Sequence, residues 1–207
     1  MVRALLAGSK TQTRRIVKPT GAHHIFQFRG MEEARGADEP TGEWAWCRAE
    51  KVVSEHIRCP YGKPGDRLWV RETFAHMYRG NAAPETRQHE DVVYRADGFT
   101  PDEYVYGSRK PSIHMPRWAS RITLEVTGVR VERLQDISEE DAAAEGVESL
   151  RNEREYWKNY LESTADCDAL ICLSARESFR TLWESINGRE AWDANPWVWV
   201  VDFKRVT

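Results

Sequence analysis

The chain has no long hydrophobic run. Nothing in its 207 residues reads as a signal peptide or a transmembrane segment, so no membrane partner and a cytoplasmic setting are expected. Cysteine is scarce: Cys47, Cys59, Cys167 and Cys172 lie scattered without a paired framework, which argues against a disulfide scaffold and for free thiols. A large excess of positive charge is also missing. The net charge is −3, which argues against a protein that coats duplex nucleic acid by charge alone. No Gly-x-Ser-x-Gly elbow, zinc-hydrolase motif or P-loop occurs. Cys47, His56 and Cys59 are candidate zinc ligands, but the remaining ligands have no clean spacing, so no metal and no cofactor are expected. His23-His24 reads as a solvated loop.

What is present is tryptophan, nine residues that must fill a core or line a pocket, and charge distributed unevenly. Lys10, Arg14, Arg15 and Lys18 cluster early, whereas acids dominate 139–148. The length suits one domain with insertions. Residues 2–6 read as one or two helical turns stopped at Gly8. Residues 43–47, 67–74, 92–95, 120–134 and 196–203 read as strands, the fourth broken or bulged at Gly128. Ser138 and Ser174 open capped helices. The first should end near Glu145-Gly146; the second should bury Phe179, Leu182, Trp183 and Ile186 and stop at Asn187-Gly188. Residues 153–161 have helical character, 165–173 are ambiguous, and the Ile25–Phe28 run reads as part of an insertion or hairpin. Together these predict a mainly β fold with flanking helices, of the α+β class.

The most informative stretch is Ala7–Ile16, AGSKTQTRRI. On a strand, Thr11, Thr13 and Arg15 project from one face, and Lys10 begins on the other unless the backbone after Gly8 bends it inward. A lysine, a hydroxyl and an arginine within six residues are chemically suggestive; the plain alternative is an exposed basic strand. Arg71 and Glu72 point to opposite faces of their strand, so one should reach the cleft, with an ordinary cross-strand ion pair as the plain reading. Lys110–Trp118 is a proline-bounded loop whose His114, Arg117 and Trp118 suit a flat base, Trp118 stacking and the others hydrogen bonding. The alternative makes Trp118 a core plug and His114 a surface residue.

The spacing Gly8-x-Lys10-x-x-Thr13-x-Arg15 resembles the signature of the ASCH family, Gly-x-Lys-x-x-Glu-x-Arg, with threonine in place of the usual glutamate. In that it is similar to the bacterial ASCH branch that hydrolyses N4-acetylcytidine, where the strand reads Gly-x-Lys-Thr-x-Thr-x-Arg. Gly65-Asp66-x-Leu68-x-Val70 resembles a second ASCH strand, and Glu145 aligns with the last glutamate of the branch's acidic helix. The wider sequence is similar to longer ASCH proteins of phages and prophages. Those carry a short strand ahead of the position of Met1, so either the start differs or one barrel edge is completed another way. The resemblance implies a PUA-like β-barrel over 1–207, with insertions near 19–58, 75–111 and 149–173.

It also implies an amidohydrolase that needs no metal and deacylates N4-acylated cytosine nucleosides. Thr13 is then the nucleophile, Lys10 its base, and Glu145 a proton shuttle or the group orienting Lys10. Arg15, Arg71, Glu72, His114, Arg117 and Trp118 are the residues expected to bind substrate. Threonine is inert without a base, and lysine serves as one only where burial or nearby positive charge lowers its pKa. The alternatives are a module that binds single-stranded RNA or a modified base, and an ASCH-type ribonuclease.

Overall fold

The computed structural model describes residues 1–18, 27–30, 43–48, 51–52, 57–76, 92–98, 109–151, 155–161 and 171–206. In chain order the helices are α1 (Val2–Leu6), α2 (Glu139–Ala144), α3 (Ala175–Asn187) and α4 (Glu190–Asp193). The strands are β1 (Gln12–Ile16), β2 (Gln27–Gly30), β3 (Glu43–Arg48), β4 (Lys51–Val52), β5 (Ile57–Arg58), β6 (Arg67–Trp69), β7 (Phe74–His76) and β8 (Val92–Tyr94), followed by β9 (Thr123–Arg133), β10 (Ser149–Arg151), β11 (Glu155–Lys158), β12 (Ile171–Cys172) and β13 (Trp197–Arg205). The fold is mixed α+β. Its centre is an open, curled four-stranded antiparallel sheet, half a barrel, in the order β1-β13-β9-β6.

The two long strands are central, and β13 is buried on both faces along its near-continuous apolar run. Val198 and Val200 look towards α3 and α4, in a core with Phe179, Leu182, Trp183 and Trp192. Trp199 and Val201 look the other way, into a core with Val17, Trp44, Trp46 and Val126. The register slips between Asp202 and Phe203, opposite Val126–Gly128, so the expected interruption at Gly128 is a bulge within one continuous strand. Leu5 of α1 packs with Leu124 and Phe203 beyond the bulge. Smaller sheets flank this centre: β3 with β2, β4 and β5; β10-β11-β12; and β7-β8. Among the described residues no helix is long and apolar enough to cross a membrane.

The capped helices form as expected. Ser138 Oγ accepts from the Asp141 N–H and Ser174 Oγ from the Glu177 N–H, both at 3.1 Å. Three readings change. Residues 155–158 form strand β11 rather than helix, because β10 and β12 supply backbone partners on both sides. Ile186 is 65% exposed and stands apart from the buried stripe of α3. The strand expected over 67–74 splits into β6 and β7, since only the first part pairs with β9 and the second pairs with β8. Ile25-Phe26, His23-His24, His56 and Cys167 lie outside the described residues.

Candidate active site

Lys10 sits where α1, β1 and α2 meet. Gly8, at φ +74°, turns the chain out of α1, and the Lys10 N–H bonds to the Ala4 carbonyl. The Thr11 N–H bonds to the Ala144 carbonyl, which ties β1 to the end of α2. The Lys10 ammonium then uses all three of its donors within 2.7 Å: on Glu145 Oε2, on the Glu145 carbonyl and on the Gln12 carbonyl. Lys10 is 7% exposed and Glu145 2%, so this is a buried ion pair between residues 135 apart in the chain. Burial pulls the Lys10 pKa below the ordinary lysine value; Glu145 opposes the shift, and Arg15 and Arg14 reinforce it.

The position of the ammonium follows from strand geometry. The Thr11 carbonyl accepts from the Phe203 N–H, so the next carbonyl, that of Gln12, faces the open edge of β1. Lys10 Nζ therefore lies at the strand edge, between the two faces of the sheet. On one face are Gln12 and Arg14, the latter 1% exposed and opposite Val200. On the other is Thr13, opposite Val201 and so on the side of the tryptophan-rich core. Among the described residues Thr13 Oγ1, which is buried, finds no hydrogen-bond partner, and neither does Glu145 Oε1, although Arg14 Nη1 approaches that oxygen to 3.7 Å. Arg15 is exposed and donates to the Arg14 carbonyl.

Arg14 anchors a polar network that sequence reasoning did not anticipate. Its guanidinium donates to Gln12 Oε1, to Asp141 Oδ2 at 2.9 Å and to Glu132 Oε2 at 3.1 Å. Arg130 bridges Glu132, Asp141 and Asp202, and Gln12 bridges Asp141 and Asp202. Burial would raise the Asp141 carboxyl, but Gln12, Arg14 and Arg130 hold it below the usual range. The available signal was the polar pair Gln12 and Arg14 at alternate positions of one short strand.

The remaining expected residues gather elsewhere. Glu72 is buried and its two oxygens meet Arg121 at 3.0 Å, an ion pair between residues outside the strands rather than across a strand pair. Arg71 lies over the Trp69 ring, with Arg117 over the same ring. Trp118 is 45% exposed rather than a core plug, and His114 is exposed. Among the described residues no hydrogen bond or ring contact joins this group to Lys10, Thr13 or Glu145, and no three His, Cys, Asp or Glu side chains cluster as metal ligands. A cavity of about 1060 Å³ runs along α1. Its wall includes Ser9 and Thr11, which flank Lys10, and Ala144 and Gly146, which flank Glu145, so the pair lies just behind that wall. No family model, curated protein or solved structure matches the chain.

Proposed function

We propose that the chain is an ASCH-type protein whose sheet belongs to a PUA-like barrel, and that it is an amidohydrolase removing the acyl group from N4-acylated cytosine nucleosides. The observation that carries the reading is the buried Lys10–Glu145 pair at 2.7 Å; Thr13, which follows Lys10 on the adjoining strand, has a buried hydroxyl with no hydrogen-bond partner among the described residues. In this mechanism Lys10 first loses its proton, favoured by its lowered pKa. The neutral amine takes the Thr13 hydroxyl proton as Oγ1 attacks the acyl carbonyl carbon. The C–N4 bond breaks, the proton passes to the departing N4 amine, and water then hydrolyses the acyl-threonine ester and returns the hydroxyl. Glu145 orients Lys10 and relays its proton.

The test is absorbance-monitored hydrolysis of N4-acetylcytidine, with quenched single-turnover samples examined by intact protein mass. A transient acyl adduct on the wild type, missing from Thr13→Val, is the expected result. Turnover at the wild-type rate by folded Thr13→Val removes the threonine from the mechanism. No hydrolysis of any N4-acylcytidine by the folded wild type removes the activity.

A further inference from the structure

Lys10 cannot act as a base without leaving a lone carboxylate behind it. Both members of the pair are buried, and Glu145 Oε2 has the ammonium as its partner at 2.7 Å. Once the ammonium proton passes to solvent water, a neutral amine faces a buried anion. Taking the cation out of a buried ion pair is strongly unfavourable, because the charge that remains has neither water nor a partner. That cost would keep the proton on Lys10 and stop the reaction at its first step. A second cation within reach of the same carboxylate relieves it.

Arg14 stands where such a cation is needed. Its Nη1 lies 3.7 Å from Glu145 Oε1, the oxygen that Lys10 does not use and just beyond hydrogen-bond length. Among the described residues that oxygen accepts no hydrogen bond and Arg14 Nε donates none, so an acceptor and a donor are both in reserve. The partners that Arg14 does have, Asp141 and Glu132, are partly exposed, whereas Glu145 is not. Water therefore screens their hold on the guanidinium more than that of Glu145. A guanidinium, unlike an ammonium, also keeps its proton wherever a lysine titrates. The other cations facing Lys10 are Arg15 on β1 and the Met1 amine ahead of α1, and among the described residues neither pairs with Glu145. We propose that Arg14 is the standby counter-ion of Glu145: Lys10 holds the carboxylate while its amine is protonated, and Arg14 holds it once the amine is neutral. Arg14 is thus a positioning residue that makes the basic form of Lys10 accessible, and its place in the reaction rests on the amidohydrolase reading.

The test is an NMR titration of the whole chain carrying 13C at lysine Cε, with the Lys10 signal identified by its absence from Lys10→Met. Arg14→Gln should move the Lys10 midpoint to higher pH. Arg14→Lys, which keeps the charge and loses the fork, should bring most of it back. Asp141→Asn should move the midpoint to lower pH, because a negative charge leaves the network and Arg14 is freed towards Glu145. A general loosening of the fold does not predict opposite shifts, and circular dichroism checks each variant. If Arg14→Gln does not fold, Asp141→Asn, which retains an accepting oxygen, carries the test. The acid limb of N4-acetylcytidine hydrolysis should follow the same shifts. An unmoved or lowered midpoint in folded Arg14→Gln overturns the proposal. So does Arg14→Lys behaving like Arg14→Gln, an unmoved or raised midpoint in Asp141→Asn, or a wild-type midpoint at or above 10.5. The titration needs no substrate. Midpoints that move as expected in a protein that hydrolyses no acylcytidine would uphold the counter-ion and remove the amidohydrolase reading alone.

Discussion

Replacing Lys10 by methionine separates a structural strap from a decorative contact. The substitution keeps most of the aliphatic volume and deletes the ammonium, leaving buried Glu145 with Arg14, at 3.7 Å, as its remaining cation among the described residues. Breaking a buried ion pair by removing one partner costs about 3–5 kcal/mol. With Arg14 compensating in part, the expected loss is about 2–4 kcal/mol, and urea denaturation of both proteins at neutral pH measures it. Lys10→Met with Glu145→Leu should recover most of the loss, since no uncompensated charge is left inside. A loss below about 1 kcal/mol at neutral pH, or no recovery in the double variant, would refute the reasoning.

Thr13→Val exchanges an unpartnered buried hydroxyl for a methyl, so it should hold or raise stability by up to about 1 kcal/mol in thermal denaturation while abolishing acylcytidine turnover. Gly146 has φ +81°, and a Cβ there would stand 2.7 Å from Lys10 Cβ and 2.9 Å from Ala4 Cβ. Gly146→Ala should cost about 2–4 kcal/mol, whereas Gly8→Ala, at φ +74° with nothing within 4 Å, should cost about 1–2 in the same urea experiment. The pH dependence of Lys10 has a definite sign: its folded pKa lies below the free value of 10.5, so the burial penalty is complete below the folded pKa. Stability of the wild type relative to Lys10→Met should therefore rise as pH climbs from that folded pKa towards 10.5. The acid limb of the hydrolysis rate should follow the same group, and Glu145→Gln should move that limb to lower pH, because Glu145 raises the Lys10 pKa.

The parts of the fold that were legible are those whose own pattern decides their structure. β9 and β13 alternate over long stretches, and the caps at Ser138, Ser174, Gly8 and Gly188 are local chemistry. Residues 155–158 were misread because a short edge segment takes its conformation from its neighbours, here β10 and β12. Ile186 occupies the right helical position but lies in the last turn of α3, outside its buried stripe, and periodicity does not show where a packing surface ends. The split of 67–74 follows from separate partners, β9 for its first part and β8 for its last, with Glu72 between them buried against Arg121.

At the site, no spacing could have joined residues 135 apart; the family resemblance paired Lys10 with Glu145, and the chemistry around them was legible only in part. Alternation placed Thr13 and Arg15 together and left Lys10 undecided, and the ammonium lies at the strand edge, where it belongs to neither face. Arg14 looked like one more member of a basic cluster because its burial is written in Glu132 and Asp141, on β9 and α2. That network bears on reactivity. It holds Arg14 beside Glu145 and, with Arg15, presses the Lys10 pKa downward, while Glu145 and two carbonyls hold the proton in place. The resting ammonium is thus both well coordinated and electrostatically disfavoured. A lysine in that balance can strap two elements together in one protonation state and act as a base in the other, so removing Glu132 or Asp141, which hold Arg14 in place, should shift the rate profile although neither is bonded to Lys10.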